Sequence, residues 1–233
     1  MTEELFRDDS YLKSCEATVV AVDDDGVVLN RTVFYPMGGG QPGDTGELRW
    51  DGGLAKVADT RYGEGGTILH VLGEGAAAPA AGTKVEAAID WDRRYRHMRM
   101  HTALHLLGSV LRYGVTGGNI SESKSRLDFD MEDTVDKEQV NGALAALVEA
   151  DHPVRCRWIT DEELEAQPEL VRTMSVQPPK GAGRVRLLEI EGVDLQPCGG
   201  THLKSTAEVG RVTLGKVEKK GKRNRRVSIL LDQ

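Results

Sequence analysis

Two short segments constrain this chain more than anything else in it: His101-Thr-Ala-Leu-His105 and, far downstream, Cys198-Gly-Gly-Thr-His202. Each carries two metal-ligating side chains, so a fold that uses them must bring two distant stretches of backbone to one point. On a helix, residues four apart share a face with their Cβ atoms about 5–6 Å apart, close enough for both imidazoles to reach one ion. His with Cys is the donor set that zinc prefers. The second pair sits on a Gly-Gly turn, where the backbone can fold tightly enough to bring Cys198 and His202 together. Four protein ligands in a closed tetrahedron make a structural zinc site, whereas three ligands and an open position make a catalytic one. The spacing leaves both open.

The elements around these segments follow from hydrophobic period and punctuation. Between residues 15 and 89, Gly, Asp and Pro interrupt short β-branched runs at 17–22, 27–29 and 84–89, which predicts a small β-barrel joined by turns. The Gly/Ala/Pro-rich stretch 73–82 reads as a loop within that barrel, because a strand-like run follows it. At Asp90–Asp92 the character changes: Asp is a favoured N-cap, and residues 93–112 contain no helix breaker except Gly108. Met100, Leu104, Leu107 and Leu111 recur at intervals of three and four, predicting one buried stripe flanked by His101 and His105. His97, among Arg93, Arg94, Arg96 and Arg99, reads as a solvated or phosphate-facing residue.

Beyond the helix, residues 114–125 read as a Gly- and Ser-rich connection, and residues 126–131 alternate as a strand does. A second helix is expected over 137–150, a strand over 153–159, and a capping box at Thr160-Asp-Glu-Glu163. Strands over 185–190, 209–217 and 227–231 complete the set, with Cys198 on the loop between the first two. The fold class expected is α+β: a small N-terminal β-barrel domain over residues 1–90, then a metal-binding α+β domain over 91–233 with an antiparallel sheet and long helices.

Two further segments carry chemistry. Phe34-Tyr-Pro-Met-Gly-Gly-Gly-Gln-Pro-Gly-Asp-Thr-Gly46 is richer in glycine than a hairpin needs, and Gly38, Gly39 and Gly40 can aim consecutive N–H groups at an anionic or carbonyl oxygen. It reads as either such a cradle or a turn between barrel strands, and it lacks the Lys-Ser/Thr of a P-loop. The formal charge is −7, which argues against indiscriminate nucleic-acid binding, yet Lys216, Lys219, Lys220, Lys222, Arg223, Arg225 and Arg226 crowd together with Glu218 as the single acid among them. This composition suggests a flexible hairpin presenting cations to a phosphate backbone. Cys15 and Cys156 are expected to be small buried hydrophobes. Three widely spaced cysteines imply no disulfide framework, and with an acidic N-terminus and no long apolar run the chain is expected to be cytoplasmic.

Taken together, the glycine motif, Met98-Arg-Met-His-Thr-Ala-Leu-His-Leu-Leu107, Arg126-Leu-Asp-Phe129, Cys198–His202 with Thr206, and the basic stretch ending in Arg225-Arg226 resemble the alanyl-tRNA editing family. That family comprises the editing domain of alanyl-tRNA synthetase and its free-standing relatives, the AlaX proteins. The editing domain of threonyl-tRNA synthetase is similar in its zinc-type motifs alone. The length suggests the medium-length, free-standing type, a monomer or weak homodimer.

The resemblance implies hydrolysis of the ester that links serine, and sometimes glycine, to tRNA(Ala). A pocket that accepts alanine cannot strongly reject one extra hydroxyl or one missing methyl, so a second, hydrolytic sieve is needed. It also implies Zn2+ held by His101, His105, Cys198 and His202. Substrate would be bound by Gly38, Gly39, Gly40, Gln41, Asp44 and Thr45, with a hydroxyl such as that of Thr45 reading the serine Oγ. Lys219, Lys220, Lys222, Arg223 and Arg225 would contact the tRNA. Asn119 stands about where relatives carry Gln. No general base is identified, and solvent or the terminal ribose hydroxyl would serve. The competing readings are a non-catalytic tRNA-binding module with a structural zinc and a zinc hydrolase of small esters or amides.

Overall fold

A computed structural model describes residues 2–23, 25–174 and 183–232. Among the described residues, fifteen strands and four α-helices follow in the order β1 (Glu3–Glu4), α1 (Leu5–Asp8), β2 (Ser14–Asp23), β3 (Gly26–Leu29), β4 (Arg31–Thr32), β5 (Gly46–Trp50), β6 (Gly53–Tyr62), β7 (Ile68–Leu72) and β8 (Lys84–Ile89). After them come α2 (Trp91–Leu111), β9 (Val115–Asn119), β10 (Lys124–Asp130), α3 (Lys137–Glu149), β11 (Val154–Thr160), α4 (Asp161–Glu165), β12 (Arg184–Ile190), β13 (Asp194–Pro197), β14 (Val212–Gly221) and β15 (Asn224–Leu231). The chain divides into two compact units, Met1–Tyr95 and Arg96–Gln233. The architecture is α+β, with one closed barrel and further antiparallel sheets.

In the first unit, six antiparallel strands close a barrel in the order β2-β3-β7-β6-β5-β8. β8 closes it by pairing with β2 on one side (Cys15↔Ala87) and with β5 on the other (Leu48↔Ala87). Period-2 alternation puts Val85, Ala87 and Ile89 inside while Lys84 and Glu86 face out. With Val19, Val27, Leu29, Phe34, Leu48 and Val57 they fill the barrel. The barrel also holds a polar chain: His70, fully buried, lies 2.9 Å from the Val27 carbonyl through Nδ1 and 2.8 Å from Thr32 Oγ1 through Nε2. A carbonyl only accepts, so Nδ1 carries the proton and Nε2 accepts from the hydroxyl.

The second unit has a four-stranded antiparallel sheet, β14-β15-β10-β9, and a three-stranded one, β11-β12-β13. The capping box at Thr160 forms, with Glu163 N donating to Thr160 Oγ1 and Thr160 N to the Glu163 carboxylate. Asp136 caps α3 by accepting from Glu138 N and Gln139 N. Residues 114–125 differ from the expected open connection, because β9 pairs along β10. It is an edge strand, where Gly117 and Gly118 cost little side-chain packing and β10 supplies the ladder. The expected strand over 209–217 begins later, at Val212, after a 3-10 turn over Ala207–Val209.

Helix α2 is capped by Asp90, whose carboxylate accepts from Arg93 N. A single buried stripe was expected, but residues 100–109 are buried on every face. A helix surrounded on all sides loses its amphipathic period, since polar residues such as Thr102 and Ser109 turn inward as well. His97 is buried too, 1 % exposed, and not solvated as its arginine neighbours suggested. α2 ends at Leu111, and Arg112 just beyond it takes the left-handed φ of 53° common past a helix C-terminus. Among the described residues no helix is long and apolar enough to cross a membrane.

Candidate metal centre

Strand period and helix period together build the centre. On α2, His101 and His105 lie one turn apart, with ring centroids separated by 5.3 Å. β13 runs into the cysteine loop, so Asp194, Gln196 and Cys198 fall two apart on one face of the three-stranded sheet. Cys198 N donates to Arg186 O at 3.0 Å, extending the β12–β13 ladder by one pair. The buried Arg186 then anchors the loop, donating through Nη1 to the carbonyls of Cys198 (3.0 Å) and Gly200 (2.8 Å). Beyond the loop Thr206, fully buried, donates to Leu147 O and accepts from His152 N.

The result is convergence. The donor atoms of His101, His105, Cys198 and His202 all lie within 4.8 Å of one another. Cys198 Sγ is 3.5 Å from His101 Nε2 and 3.1 Å from His202 Nε2. A tetrahedral zinc ion with bonds of about 2.0–2.3 Å separates its donors by roughly 3.3–3.6 Å, so three imidazoles and one thiolate at this spacing fit such a cation. The three rings are nearly buried and Cys198 is half-buried.

Two residues hold the imidazoles. Asp194 Oδ2 lies 3.0 Å from His105 Nδ1, and Thr102 Oγ1 lies 3.4 Å from His202 Nδ1. Each contact occupies the nitrogen that faces away from the cluster and leaves Nε2 for a cation. Gln196 Nε2 donates to Asp194 Oδ2 at 2.6 Å, and Arg172 Nη1 is 3.2 Å from Asp194 Oδ1, so the carboxylate is itself held.

Without a cation the electrostatics are those of an ion-pair cluster. Burial favours the neutral thiol of Cys198, but the imidazoles of His101, His202 and His105 overcome it and hold the thiol well below its ordinary range. Burial likewise disfavours charge on His105, yet hydrogen bonds to Asp194 and Cys198 raise it to about 9. His202 is pushed well below the ordinary imidazole range, by burial first and by His101 second.

Asp194, Thr102, Gln196 and Arg186 are absent from the residues singled out in the sequence. For Asp194 a signal existed: in Asp194-Leu-Gln-Pro-Cys198 the period of two that places one polar side chain beside the ligand places the others there as well.

The glycine motif lies in the first unit. Gly38 and Gln41 form a bridged two-residue hairpin, with N–H···O distances of 3.1 and 2.9 Å. Gly39 (φ 57°) and Gly40 (φ 84°) supply the paired positive φ that a type I′ turn demands. A side chain at Gly43 would place Cβ 1.9 Å from the Thr60 carbonyl, so close strand packing requires that glycine. Gln41 is fully buried and Thr45 half-buried. Asp44 is buried against Arg94, which is itself fully buried and also donates to the carbonyls of Ser10 (3.0 Å) and Val33 (2.7 Å). Tyr35 N donates to the same carboxylate at 2.6 Å. The aspartate is thus a clamp within the barrel unit.

The basic stretch forms the hairpin β14–β15. Lys219 and Lys222 are exposed, while Lys220 pairs with Glu218 and Arg223 with Asp130. Arg225 turns back to the carbonyls of Gly221 and Lys222, and Arg226 is held by Asp128. Of the other two cysteines, Cys15 is half-buried and Cys156 is exposed, contrary to the expectation of burial, because Cys156 stands on the edge strand β11.

The chain matches the family model described as tRNA synthetases class II (A) over residues 6–93, and that described as the threonyl and alanyl tRNA synthetase second additional domain over residues 185–228. It is 39% identical to the alanyl-tRNA editing protein AlaX-M of Methanosarcina acetivorans, with 99% of each chain covered. The chain belongs to the alanyl-tRNA editing protein family. Its likeness to AlaX-M of Saccharolobus solfataricus is 38% over 97% of this chain and 98% of that one. The alanine–tRNA ligase of Pyrobaculum aerophilum is 39% identical over 94% of this chain but only 25% of its own length, so a segment similar to this chain is also found inside a much longer ligase. The second-additional-domain match contains Cys198 and His202, two of the four clustered ligands.

Proposed function

We propose that this protein is a zinc-dependent deacylase that acts in trans on tRNA(Ala) mischarged with serine or glycine. The observation that carries the reading is the convergence of His101, His105, Cys198 and His202, in a chain that shares its full length with alanyl-tRNA editing proteins. When bound there, zinc supplies Lewis acidity for polarising an ester or a water. The chain's own residues do the rest. Asp194 accepts the Nδ1 proton of His105 and fixes its tautomer, and Thr102 orients His202. Arg186 holds the cysteine loop at the carbonyls of Cys198 and Gly200, so the backbone that carries the sulfur is fixed. The half-buried edge at Cys198 is where substrate enters.

In this reading Lys219 and Lys222 meet tRNA phosphates directly. Lys220, Arg223 and Arg225 do so only by exchanging their present partners for phosphate, a modest cost for exposed ion pairs. In the glycine motif, the exposed backbone of Gly39 and Gly40 with Thr45 is the part available for ligand contact, since Gly38 is engaged with Gln41, and Asp44 serves by holding the motif through Arg94.

The test is a deacylation assay with Ser-tRNA(Ala), Gly-tRNA(Ala) and Ala-tRNA(Ala), with metal analysis on the same preparation. Loss of ester from the first two, abolished by a chelator and restored by zinc, is expected. An ester half-life equal with and without the protein overturns the reading. If Cys198→Ala loses zinc and unfolds together, and the metal-loaded protein binds tRNA without hydrolysis, the centre is structural and the protein a binding module.

A further inference from the structure

One exposed aromatic side chain stands on the same sheet face as the metal centre and has no part in it. In the three-stranded sheet, Trp158 on β11 pairs directly with Arg186 on β12, and Arg186 faces Cys198 just beyond β13. Directly paired residues in an antiparallel sheet project from the same side. Trp158, Arg186 and Cys198 therefore form one cross-strand row. Two strand spacings separate its ends, about 10 Å.

The opposite face of this sheet is closed off: Val185, Leu187 and Leu170 form its buried cluster, with Ile159, Leu164 and Leu195 packed against it. The face with Trp158 is the one from which Asp194 and Cys198 reach the imidazoles. Yet Trp158 remains 37% exposed. One side of its indole is covered by the guanidinium of Arg184, 4.3 Å from the ring centroid. A large, partly exposed aromatic backed by a cation is a stacking platform: a flat π-system gains dispersion and cation–π polarisation there, whatever its hydrogen-bonding edge.

We propose that Trp158, backed by Arg184, stacks on the 3′-terminal nucleobase of the tRNA and so sets the terminal ribose ester over the metal centre. The inference rests on the deacylase reading above. Its geometric content is that base and ester of one nucleotide are separated by roughly the width of a sugar and a base, which matches the row from Trp158 to Cys198. Trp158 is thus a positioning residue: it holds the nucleotide, and the His/Cys cluster faces the bond to be cleaved.

The test compares two acceptor-stem minihelices that differ only in whether the terminal nucleotide carries its base. Binding of the uncharged minihelices by fluorescence anisotropy reads the contact without catalysis. The zinc-loaded wild type is expected to bind the complete minihelix at least about 5-fold more tightly than the one lacking the base, the lower end of what base–aromatic stacking gives. Trp158→Leu keeps bulk but loses the π-face, and should bind both equally, with unchanged zinc content. Trp158→Phe should recover part of the discrimination. On serylated minihelix, Trp158→Leu should raise KM with little change in kcat.

Equal discrimination by wild type and Trp158→Leu overturns the inference even if deacylation is robust. Absence of deacylation by wild type, with base discrimination intact and lost in Trp158→Leu, overturns the deacylase reading and leaves a nucleobase-binding site.

Discussion

Asp194 Oδ2 and His105 Nδ1 are 3.0 Å apart, and both groups are buried. The carboxylate can only accept, so it fixes the proton on Nδ1 and frees Nε2 for a cation. Replacing Asp194 by Ala leaves the four ligands in place but removes this orientation. Zinc affinity is expected to fall about 10–100-fold, as for other partners of metal-bound histidines. Competition with a chromophoric chelator measures it, and an affinity equal to wild type would show that packing alone orients His105.

Metal affinity should also depend on pH in a predictable sense. In the metal-free centre His105 is raised to about 9, by Asp194 and Cys198 against the effect of burial. A ligating imidazole must be neutral at Nε2, so below about pH 9 binding expels one proton from His105. Burial favours the neutral thiol of Cys198, but the neighbouring imidazoles hold it well below its ordinary range. The logarithm of the zinc association constant should therefore rise with pH up to about 9, the His105 proton alone contributing about one per pH unit, and this contribution should then level off. Zinc titrations in that window, corrected for buffer binding, test the slope. A flat profile would mean that His105 is neutral without metal.

How far these features were visible in the sequence depends on how local their cause is. The two ligand pairs, the capping box at Thr160 and the type of each long element follow from spacings within one turn of helix or one step of strand. The full burial of residues 100–109 does not, because it depends on which elements close around α2 from elsewhere in the chain. His97 and Cys156 went astray for the same reason: a neighbouring arginine run cannot report an inward-facing position, nor can a cysteine report that its strand is an edge. Asp44 looked like a ligand contact because it sits in a glycine-rich motif, but its partner Arg94 is fifty residues away. The β9 strand was hidden because glycine-rich composition says nothing about a ladder that β10 provides.

The Arg94–Asp44 pair supplies a stability prediction for the barrel unit. Both side chains are essentially unexposed, and Arg94 also satisfies the carbonyls of Ser10 and Val33. Arg94→Met removes the cation and leaves the Asp44 carboxylate buried without it. A loss of about 3–5 kcal/mol is expected, the usual result of stranding one half of a buried pair. Asp44→Asn together with Arg94→Met should be less damaging than Arg94→Met alone, since no charge is then stranded. Urea unfolding of the three proteins decides this. Strictly additive losses would mean that the two side chains do not stabilise each other.

His70 gives the barrel a defined sensitivity to acid. Burial lowers its pKa to about 4, with the Val27 carbonyl opposing that shift weakly by accepting from Nδ1. In the unfolded chain an imidazole titrates near 6.5, so between about pH 6.5 and pH 4 the unfolded state binds a proton that the folded state does not. Stability from this group is complete above about pH 6.5, falls as the pH drops towards 4, and changes no further below. The shift corresponds to about 3 kcal/mol at the lower end, taking 1.36 kcal/mol per pH unit. His70→Gln keeps a polar side chain beside Thr32 and has nothing to protonate. It should cost stability at pH 7.5 through imperfect packing, yet lose less than wild type on going to pH 5. Urea midpoints at the two pH values, measured on metal-free protein, make the comparison. If wild type and variant lose the same amount, acid unfolding is governed by groups other than His70.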